Sequence, residues 1–461
     1  MSDRLLVRGG TVVSPRGLTR ADVRCRDGAI VEIGTNLAPD GDQTLDASDA
    51  YVLPGIVDPH VHFALEAKPH KTADDFASGS AAALAGGVTT IIDFAHQHAG
   101  EGFEEALDRR LAEAAGCRTD YSMHLIVTDL SSGQIAEMRR LTERGVTSAK
   151  LYSTYRAAGF FCDDYVVLEF MRAAAELGWV VMVHCENDAI VEGTRAAFVA
   201  EGKVEFRHHG ASRPAVAEVE TVERMLRFAG ETGAAVYPVH LSVGESARLI
   251  AAARRRGVAA FGETCPHFLV ADERVYQDDA RAARFIHTPP LRAEREQAML
   301  WEELAGDGLQ TVGSDHCGYT LAQRTDFADI VKVAPGIPGT ETLLPLLYTY
   351  GVVAGRMRME DLASVASENA ARIFGLYPRK GIVTESSDAD LVIYRPDGTR
   401  TLDDGSVRSA ARYSPFAGMT VRGTVAATIL RGRVAFDGTD VIGPEGSGRL
   451  IACDSFDPAR V

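Results

Sequence analysis

The pattern of apolar and polar positions divides the chain into three parts. Residues 1 to about 52 hold short alternating segments separated by Gly and Pro, which is typical of a small antiparallel sheet. From Gly55, apolar strand-like runs such as 148–152 alternate with segments of helical period such as 166–177. After about Lys380 the alternating strand pattern returns. The pattern therefore predicts a long α/β part between two β parts.

The middle part predicts an α/β fold, namely a parallel (β/α)8 TIM-like barrel, because such a barrel requires strands and helices that alternate over roughly three hundred residues. The flanking β segments are each too short to bury much apolar surface alone. We therefore expect them to pair as one small β-sandwich domain built from both chain ends, with residues 1–54 and 380–461 in that domain and 55–379 in the barrel. Seven barrel strands are expected at 89–94, 121–127, 148–152, 179–184, 235–240, 258–263 and 310–314.

The composition indicates a globular protein with a small ligand. The chain has 461 residues, of which 46% are hydrophobic and 24% charged, and its formal net charge is -16. Such a charge argues against binding to nucleic acid or to an anionic membrane surface. No export signal and no run of eighteen apolar residues is found. The seven scattered cysteines lack CxxC spacing, which indicates reduced thiols and a cytoplasmic protein.

A pair of histidines follows the first apolar run of the middle part. His60 and His62 stand in the segment LPGIVDPHVHF, residues 53–63. In an extended segment, residues two apart point to the same side, so both rings can reach one ion. Imidazole is a common zinc ligand, whereas two histidines so placed pack poorly in an apolar core. The pair therefore indicates a metal site.

Four further polar residues stand at or near the ends of expected barrel strands: Lys150, His184, His240 and Asp315. Taken alone, each histidine would be a hydrogen-bonded structural residue and Asp315 a helix cap or turn residue. A lysine at such a position would ordinarily extend to solvent. Parallel barrels place their chemistry at the C-terminal ends of their strands. Four such residues on separate strands, after His-x-His, therefore favour one shared site.

Most of these residues lie in ordered motifs that resemble the cyclic amidohydrolases of the amidohydrolase superfamily, in particular the hydantoinase and dihydropyrimidinase branch. The resemblance spans nearly the whole chain, from Gly9 to Phe416. Its motifs are GIVDPHVH at 55–62, KLYSTY at 150–155, VHCEN at 183–187, GETCP at 262–266, PPLR at 289–292 and GSDH at 313–316.

The resemblance implies a centre of two divalent metal ions, usually zinc. The implied ligands are His60, His62 and Asp315 for the first ion, His184 and His240 for the second, and a bridging carbamate formed from CO2 on Lys150. Such a pair of ions supplies a hydroxide nucleophile at neutral pH and polarises the amide carbonyl. Asp315 would then act first as general base and afterwards as general acid.

Three residues are implied to contact the substrate. Tyr155, five positions after the lysine, would donate a hydrogen bond to the carbonyl oxygen as negative charge builds on it. Thr288 stands where this branch often has Ser and would hold the ring imide through backbone groups. Ile337 lies in segment 334–342, which replaces the Asn-Gly run of many close relatives, and would supply another backbone contact.

Other polar residues near these motifs are expected to be bystanders. His96, His98, His208 and His209 lie in loop or polar helical contexts and are expected to be solvated. Cys317 could be taken for a nucleophile, but a metal-generated hydroxide makes that role unnecessary.

The resemblance implies a hydrolase that opens the cyclic amide of hydantoins or dihydropyrimidines to N-carbamoyl amino acids, working as a homotetramer or dimer. One alternative is an allantoinase or a dihydroorotase-like amidase. Tyr155 argues against the former, and the lack of a basic carboxylate-binding residue after His62 argues against the latter. Another alternative is a non-catalytic scaffold homologue, which we rank last because all six ligand positions are filled.

Overall fold

The computed structural model describes residues 4–67 and 70–460, and its strands fall into two main sheets. The strands are β1 (Arg4–Ser14), β2 (Gly17–Arg26), β3 (Ala29–Gly34), β4 (Gln43–Asp46), β5 (Tyr51–Pro54), β6 (Ile56–Asp58), β7 (Glu66–Ala67), β8 (His70–Lys71), β9 (Val88–His96), β10 (Asp120–Ile126), β11 (Ser148–Tyr152), β12 (Val180–His184), β13 (Ala235–Pro238), β14 (Glu263–Thr264), β15 (Thr311–Val312), β16 (Leu391–Thr401), β17 (Thr420–Leu430) and β18 (Arg433–Phe436).

Helices connect most of these strands. They are α1 (Phe76–Ala85), α2 (Phe103–Glu113), α3 (Ser132–Glu143), α4 (Asp164–Leu177), α5 (Asp188–Ala200), α6 (His209–Ser212), α7 (Ala215–Thr232), α8 (Gly244–Arg255), α9 (Pro266–Val270), α10 (Asp279–Arg284), α11 (Glu294–Leu304), α12 (Leu321–Thr325), α13 (Leu343–Leu347), α14 (Met359–Ala363) and α15 (Asn369–Ile373). Among the helices that the structure describes, none has both the length and the apolar character needed to cross a bilayer.

The first sheet combines strands from the two ends of the chain. It has eight strands in the order β18-β17-β16-β5-β1-β2-β3, with β4 paired to β1. Most neighbours are antiparallel, whereas β1 runs parallel to β4 and β5. The two chain ends meet where Val52 of β5 pairs with Ile393 of β16. Alternate residues such as Val7 and Val23 point into a shared apolar core, as the period of two requires.

The second sheet is parallel and gives the middle of the chain a mixed α/β fold. Its six strands run in the order β13-β12-β11-β10-β9-β6, and β14 and β15 form a separate parallel pair. Isolated bridges continue the parallel pairing at both ends. Val236 of β13 pairs with Ala260 before β14, and Val61 after β6 pairs with His316 after β15. The strand expected at 258–263 is therefore shorter than predicted, because its first residues form one bridge instead of a ladder.

Amphipathic helices pack on one face of the parallel sheet. Helix α4 shows how the sequence encodes them: the Asp163 side chain accepts a hydrogen bond from Val166 N, and the helix ends at Gly178, whose φ of +67° suits glycine. Its apolar face buries Phe170 and Met171. Full burial of such side chains stabilises the fold by about 1.5–3 kcal/mol each. This packing leaves the C-terminal ends of the strands free to carry the polar residues.

Candidate active site

The structure brings His60, His62 and Asp315 together after strands β6 and β15. Asp315 Oδ1 lies 3.3 Å from His60 Nε2 and 3.4 Å from His62 Nε2. One potential ligand atom from each residue lies within 4.8 Å of those of the other two. Burial lowers the pKa of His60 to about 3 and that of His62 to about 4, which keeps both rings neutral, the form that binds metal. The geometry therefore suits one divalent ion.

Lys150 lies beside this cluster on β11. Its side chain is 1% exposed, and its Nζ is 2.8 Å from His60 Nε2. The ammonium nitrogen also lies 5.0 Å from the ring centre of Phe94 and 5.1 Å from that of Tyr152. Among the described residues no carboxylate forms an ion pair with Lys150. Burial lowers its pKa, which favours the neutral amine that CO2 can carboxylate.

His184 and His240 contact each other edge to face, with ring centres 4.5 Å apart. His184 Nε2 lies 2.7 Å from Glu186 Oε2, so Nδ1 is the nitrogen left for a ligand. His240 Nδ1 is buried and has no hydrogen-bond partner in the described part of the chain. Burial lowers the pKa of both rings. An unpartnered buried nitrogen is costly, and a metal ion would satisfy it.

Two carboxylates that the sequence did not single out orient these histidines. Glu263 on β14 accepts at 2.7 Å from His60 Nδ1 and at 3.0 Å from the backbone N–H of His240. Glu186 is buried between His184 and Arg213, whose Nη2 donates to it at 2.6 Å. Both glutamates stand inside motifs of the sequence. Glu186 stands two residues after His184 in the sequence, and this spacing is the signal from which its orienting role could have been predicted.

Three of the predicted site residues have a left-handed backbone. The φ angles are +65° for Tyr155, +41° for His240 and +47° for Asp315. Such angles are uncommon outside glycine and cost free energy, and they concentrate at functional sites. All three residues follow the ends of parallel strands, where the turn directs the side chain towards the cavity.

Tyr155 and Thr288 meet on the wall of this cavity, and their hydroxyl groups form a short hydrogen bond. The guanidinium of Arg213 lies 5.3 Å from the Tyr155 ring centre. Ile337 is buried behind the wall, and its carbonyl accepts from Cys317 N at 3.0 Å. The neighbouring Gly336 lines the cavity instead.

The cavity has a volume of about 520 Å³ and is lined by ligand-type and apolar side chains. His62, Lys150, His184, His240 and Asp315 contribute to one region of its wall. Leu65, Phe160, Phe327, Ile330 and Val333 line other parts of it. A cavity of this size takes a ligand larger than a single small ring.

Two of the bystander histidines depart from expectation. His209 is buried rather than solvated, with its Nε2 donating to the carbonyl of His287 at 2.7 Å, and His96 ends strand β9 half-buried. His98 is exposed as expected, and the ring of the half-buried His96 stacks on Phe160 at 4.6 Å. All seven cysteines, Cys317 among them, are buried free thiols. Burial raises the pKa of Cys317 to about 12, which disfavours a nucleophilic thiolate.

Comparison with known proteins extends over nearly the whole chain. The profile of the amidohydrolase family matches residues 51–435. A D-hydantoinase from Ralstonia pickettii is 34% identical over 451 residues, covering 97% of this chain and 98% of the relative. A D-phenylhydantoinase from Escherichia coli O1:K1 / APEC is 36% identical over 466 residues, covering 99% of each.

A solved structure leads to the same family. The crystal structure of dihydropyrimidinase from Brevibacillus agri NCHU1002 matches with a TM-score of 0.96 and 32% identity, covering 98% of this chain and 99% of that chain. The family resemblance expected from the motifs is thereby confirmed. The chain belongs to the amidohydrolase family.

Proposed function

We propose that this protein is a cyclic amidohydrolase that opens the ring amide of hydantoins or dihydropyrimidines and releases N-carbamoyl amino acids. Its relatives support the hydrolysis of cyclic amides such as hydantoins, because they are hydantoinases and the match covers almost the full length of both chains. One observation carries the assignment: the His60, His62 and Asp315 cluster lies at the same cavity as Tyr155. That arrangement joins a metal-type site to a hydroxyl donor, which amide hydrolysis needs.

We propose two divalent ions, with zinc as the resident metal, at the donors described above. His60, His62 and Asp315 would hold one ion, His184 and His240 the other, and Lys150, carboxylated by CO2, would bridge them. Such ions supply a hydroxide nucleophile at neutral pH and polarise the amide carbonyl. The carbamate fits this site because Lys150 is buried, burial lowers its pKa, and no carboxylate in the described part of the chain pairs with it as an ammonium.

The remaining steps fall to the chain's own residues. Asp315 would accept the proton of the attacking nucleophile and return it to the leaving nitrogen. Tyr155 would donate its hydroxyl to the carbonyl oxygen as charge builds there. Thr288 and Ile337 are the proposed backbone contacts to the ring. Thr288 borders the cavity directly, whereas Ile337 follows Gly336, which lines it.

We propose further that the parallel strands form one closed (β/α)8 barrel, residues 55–379, and that residues 1–54 and 380–461 form a small β-sandwich domain. The bridges Val236 to Ala260 and Val61 to His316 support closure, since they join the six-stranded sheet to β14 and β15 at both edges. The mixed sheet of both chain ends supports the second unit.

For the protein in the cell, we propose a cytoplasmic homo-oligomer, a tetramer or dimer, that acts on small cyclic ureides or imides. The seven buried cysteines form no disulfide within the described residues, which supports a reducing compartment. Analytical ultracentrifugation of the purified protein tests the oligomeric state, and a monomer at micromolar concentration would contradict it.

A substrate panel combined with metal analysis tests the proposed function. Turnover is measured on hydantoin, substituted hydantoins, dihydrouracil, allantoin and dihydroorotate, and metal content by elemental analysis. We expect two metals per chain and highest kcat/KM on hydantoins or dihydrouracil. Preference for allantoin or dihydroorotate would support the alternative cyclic amidases. A metal-free chain without turnover on any of these would support the scaffold reading.

A further inference from the structure

One wall of the cavity carries an arginine that the ring-opening chemistry does not use. Arg195 lies on α5 and lines the cavity, with its side chain 18% exposed. Its Nη1 donates to Glu192 Oε1 at 3.0 Å. Within the described residues, neither its Nε nor its Nη2 has a hydrogen-bond partner, and the Nε is buried. Most of the donor capacity of this guanidinium is therefore unused.

The unused donors form one edge of the planar guanidinium. Nε is enclosed by protein, whereas Nη2 is not among the buried atoms and can form a charge-assisted hydrogen bond with a carboxylate oxygen in the cavity. Glu192 occupies only the Nη1 end of Arg195. A carboxylate brought by the ligand would therefore bind at Nη2 while Nη1 stays with Glu192.

The cations that line the cavity differ in how fully they are paired. Apart from the metal-site residues, the charged lining residues are Arg195, Arg213, Lys332 and Glu192. Arg213 donates to Glu186 from both Nε and Nη2, and the exposed Lys332 Nζ lies 3.8 Å from Asp329 Oδ2. Arg195 donates to Glu192 through Nη1 alone, so its Nη2 has no partner within the described residues and could bind an anionic group of the ligand.

Arg195 lines the same cavity as Tyr155 and Thr288, the two residues at the proposed ring position. A ring held by Tyr155 and Thr288 would leave its substituent in the cavity that Arg195 borders. The volume of about 520 Å³ leaves room for a short side chain beside the ring.

We propose that Arg195 determines specificity for ring substrates that carry a short side chain ending in a carboxylate. The inference rests on the proposed function, because that function places the ring beside Tyr155 and Thr288. The segment after His62 lacks a basic residue that could bind a carboxylate, and Arg195 on α5 would supply one. The substrate class is thus a hydantoin or dihydropyrimidine with an anionic substituent.

The test compares two hydantoins of nearly equal size, one bearing a carboxyethyl group and the other the neutral carbamoylethyl group. The measured quantity is the ratio of kcat/KM for the acid to kcat/KM for the amide. We expect a ratio above one for the wild type. Arg195→Gln should lower that ratio by about 10- to 100-fold, the effect of losing hydrogen bonds to a charged group. The ratio for Arg195→Lys should lie between those of the wild type and Arg195→Gln, because lysine keeps the positive charge but lacks the planar guanidinium.

Two further variants sharpen the comparison. Glu192→Gln removes the competing carboxylate and should raise the ratio. Arg172→Gln is the matched control, because Arg172 pairs with Glu169 three residues earlier in the same way, but its side chain is 53% exposed and does not line the cavity. Its ratio should equal that of the wild type. Calorimetry of the ring-opened acidic product, which needs no turnover, should show weaker binding to Arg195→Gln.

A wild-type ratio below one, or an unchanged ratio in a folded Arg195→Gln, overturns this inference. If Arg195→Gln does not fold, Arg195→Lys and Glu192→Gln decide the question, and unchanged ratios in both overturn it. Hydrolysis of the amide without preference for the acid contradicts the specificity alone. Absence of hydrolysis on both hydantoins and on dihydrouracil contradicts the proposed function instead.

Discussion

Glu263 Oε1 lies 2.7 Å from His60 Nδ1, although 203 residues separate the two in the chain. This contact directs His60 Nε2 towards Lys150 and Asp315. The same carboxylate accepts from the backbone of His240. Glu263 thereby links the two groups of proposed metal ligands and fixes the orientation of the first.

Glu263→Gln should weaken metal binding by about 10- to 100-fold, the usual effect of losing a carboxylate that orients a ligating histidine. Metal affinity is measured by competition with a chelator. Glu341→Gln is the control. Glu341 forms an ion pair of 2.9 Å with Arg408, which is not a proposed metal ligand. Equal metal affinity in Glu263→Gln and the control would contradict the orienting role.

Lys150→Ala should lose both metals and activity, because the bridging anionic ligand disappears. Short carboxylic acids added together with metal should restore part of the turnover by taking the place of the carbamate. Lys203→Ala is the control, since Lys203 is exposed and pairs with Glu201. Two metals per chain and near-normal turnover in Lys150→Ala would rule out the carbamate assignment.

Asp315→Asn should lower turnover by at least about a hundredfold, the lower range for loss of general acid-base catalysis. The expectation rests on Asp315 lying between the two histidines and lining the cavity. Turnover and metal content are measured together. A loss below about tenfold with both metals retained would require a different proton acceptor.

Tyr155→Phe should lower turnover on hydantoin and dihydrouracil by about a hundred- to a thousandfold, as expected when one donor to a developing oxyanion is lost. Both metals should remain bound, because Tyr155 is not a proposed ligand. Tyr165→Phe is the control, since Tyr165 is 71% exposed. A Tyr155→Phe enzyme that is unimpaired on every cyclic ureide would contradict the oxyanion role.

Lys380→Met should destabilise the fold, because Lys380 Nζ is buried among Asp120 at 2.6 Å, Asp390 at 2.7 Å and Asp388 at 2.9 Å. Removing one partner of a buried ion pair costs about 3–5 kcal/mol. Urea unfolding at neutral pH measures the loss of unfolding free energy. Lys203→Met is the exposed control, and an equal stability of the two variants would contradict the prediction.

The loss of unfolding free energy in Lys380→Met should depend on pH in one direction only. Burial lowers the pKa of Lys380, but the charges of Asp390 and Asp120 outweigh it and raise the pKa above its ordinary value. The stabilisation is therefore complete below the unfolded pKa of about 10.4 and is lost as pH rises through the folded pKa. The difference in unfolding free energy between the wild type and Lys380→Met should therefore decrease above about pH 10.4. A gap that stays constant up to alkaline unfolding would contradict this coupling.

Local patterns in the sequence were sufficient to predict many elements and to indicate which polar residues lie together after the strand ends. Strand β11, Ser148–Tyr152, lies where the apolar run predicts it, because its period and flanking turns are local properties. His60 and His62 converge because residues two apart share a side in an extended segment. Lys150 and Asp315 meet them because parallel strands align their C-terminal ends.

Only the tertiary structure decided which distant side chains complete the site. Glu263 orients His60, and His209 is buried with its Nε2 bonded to the carbonyl of His287. Arg195 lines the cavity, and its Nη2 has no partner within the described residues. None of these relationships has a local period or a fixed spacing. They depend on how helices and loops pack over the strand ends, and the free energy of that packing is set by contacts between residues far apart in the chain.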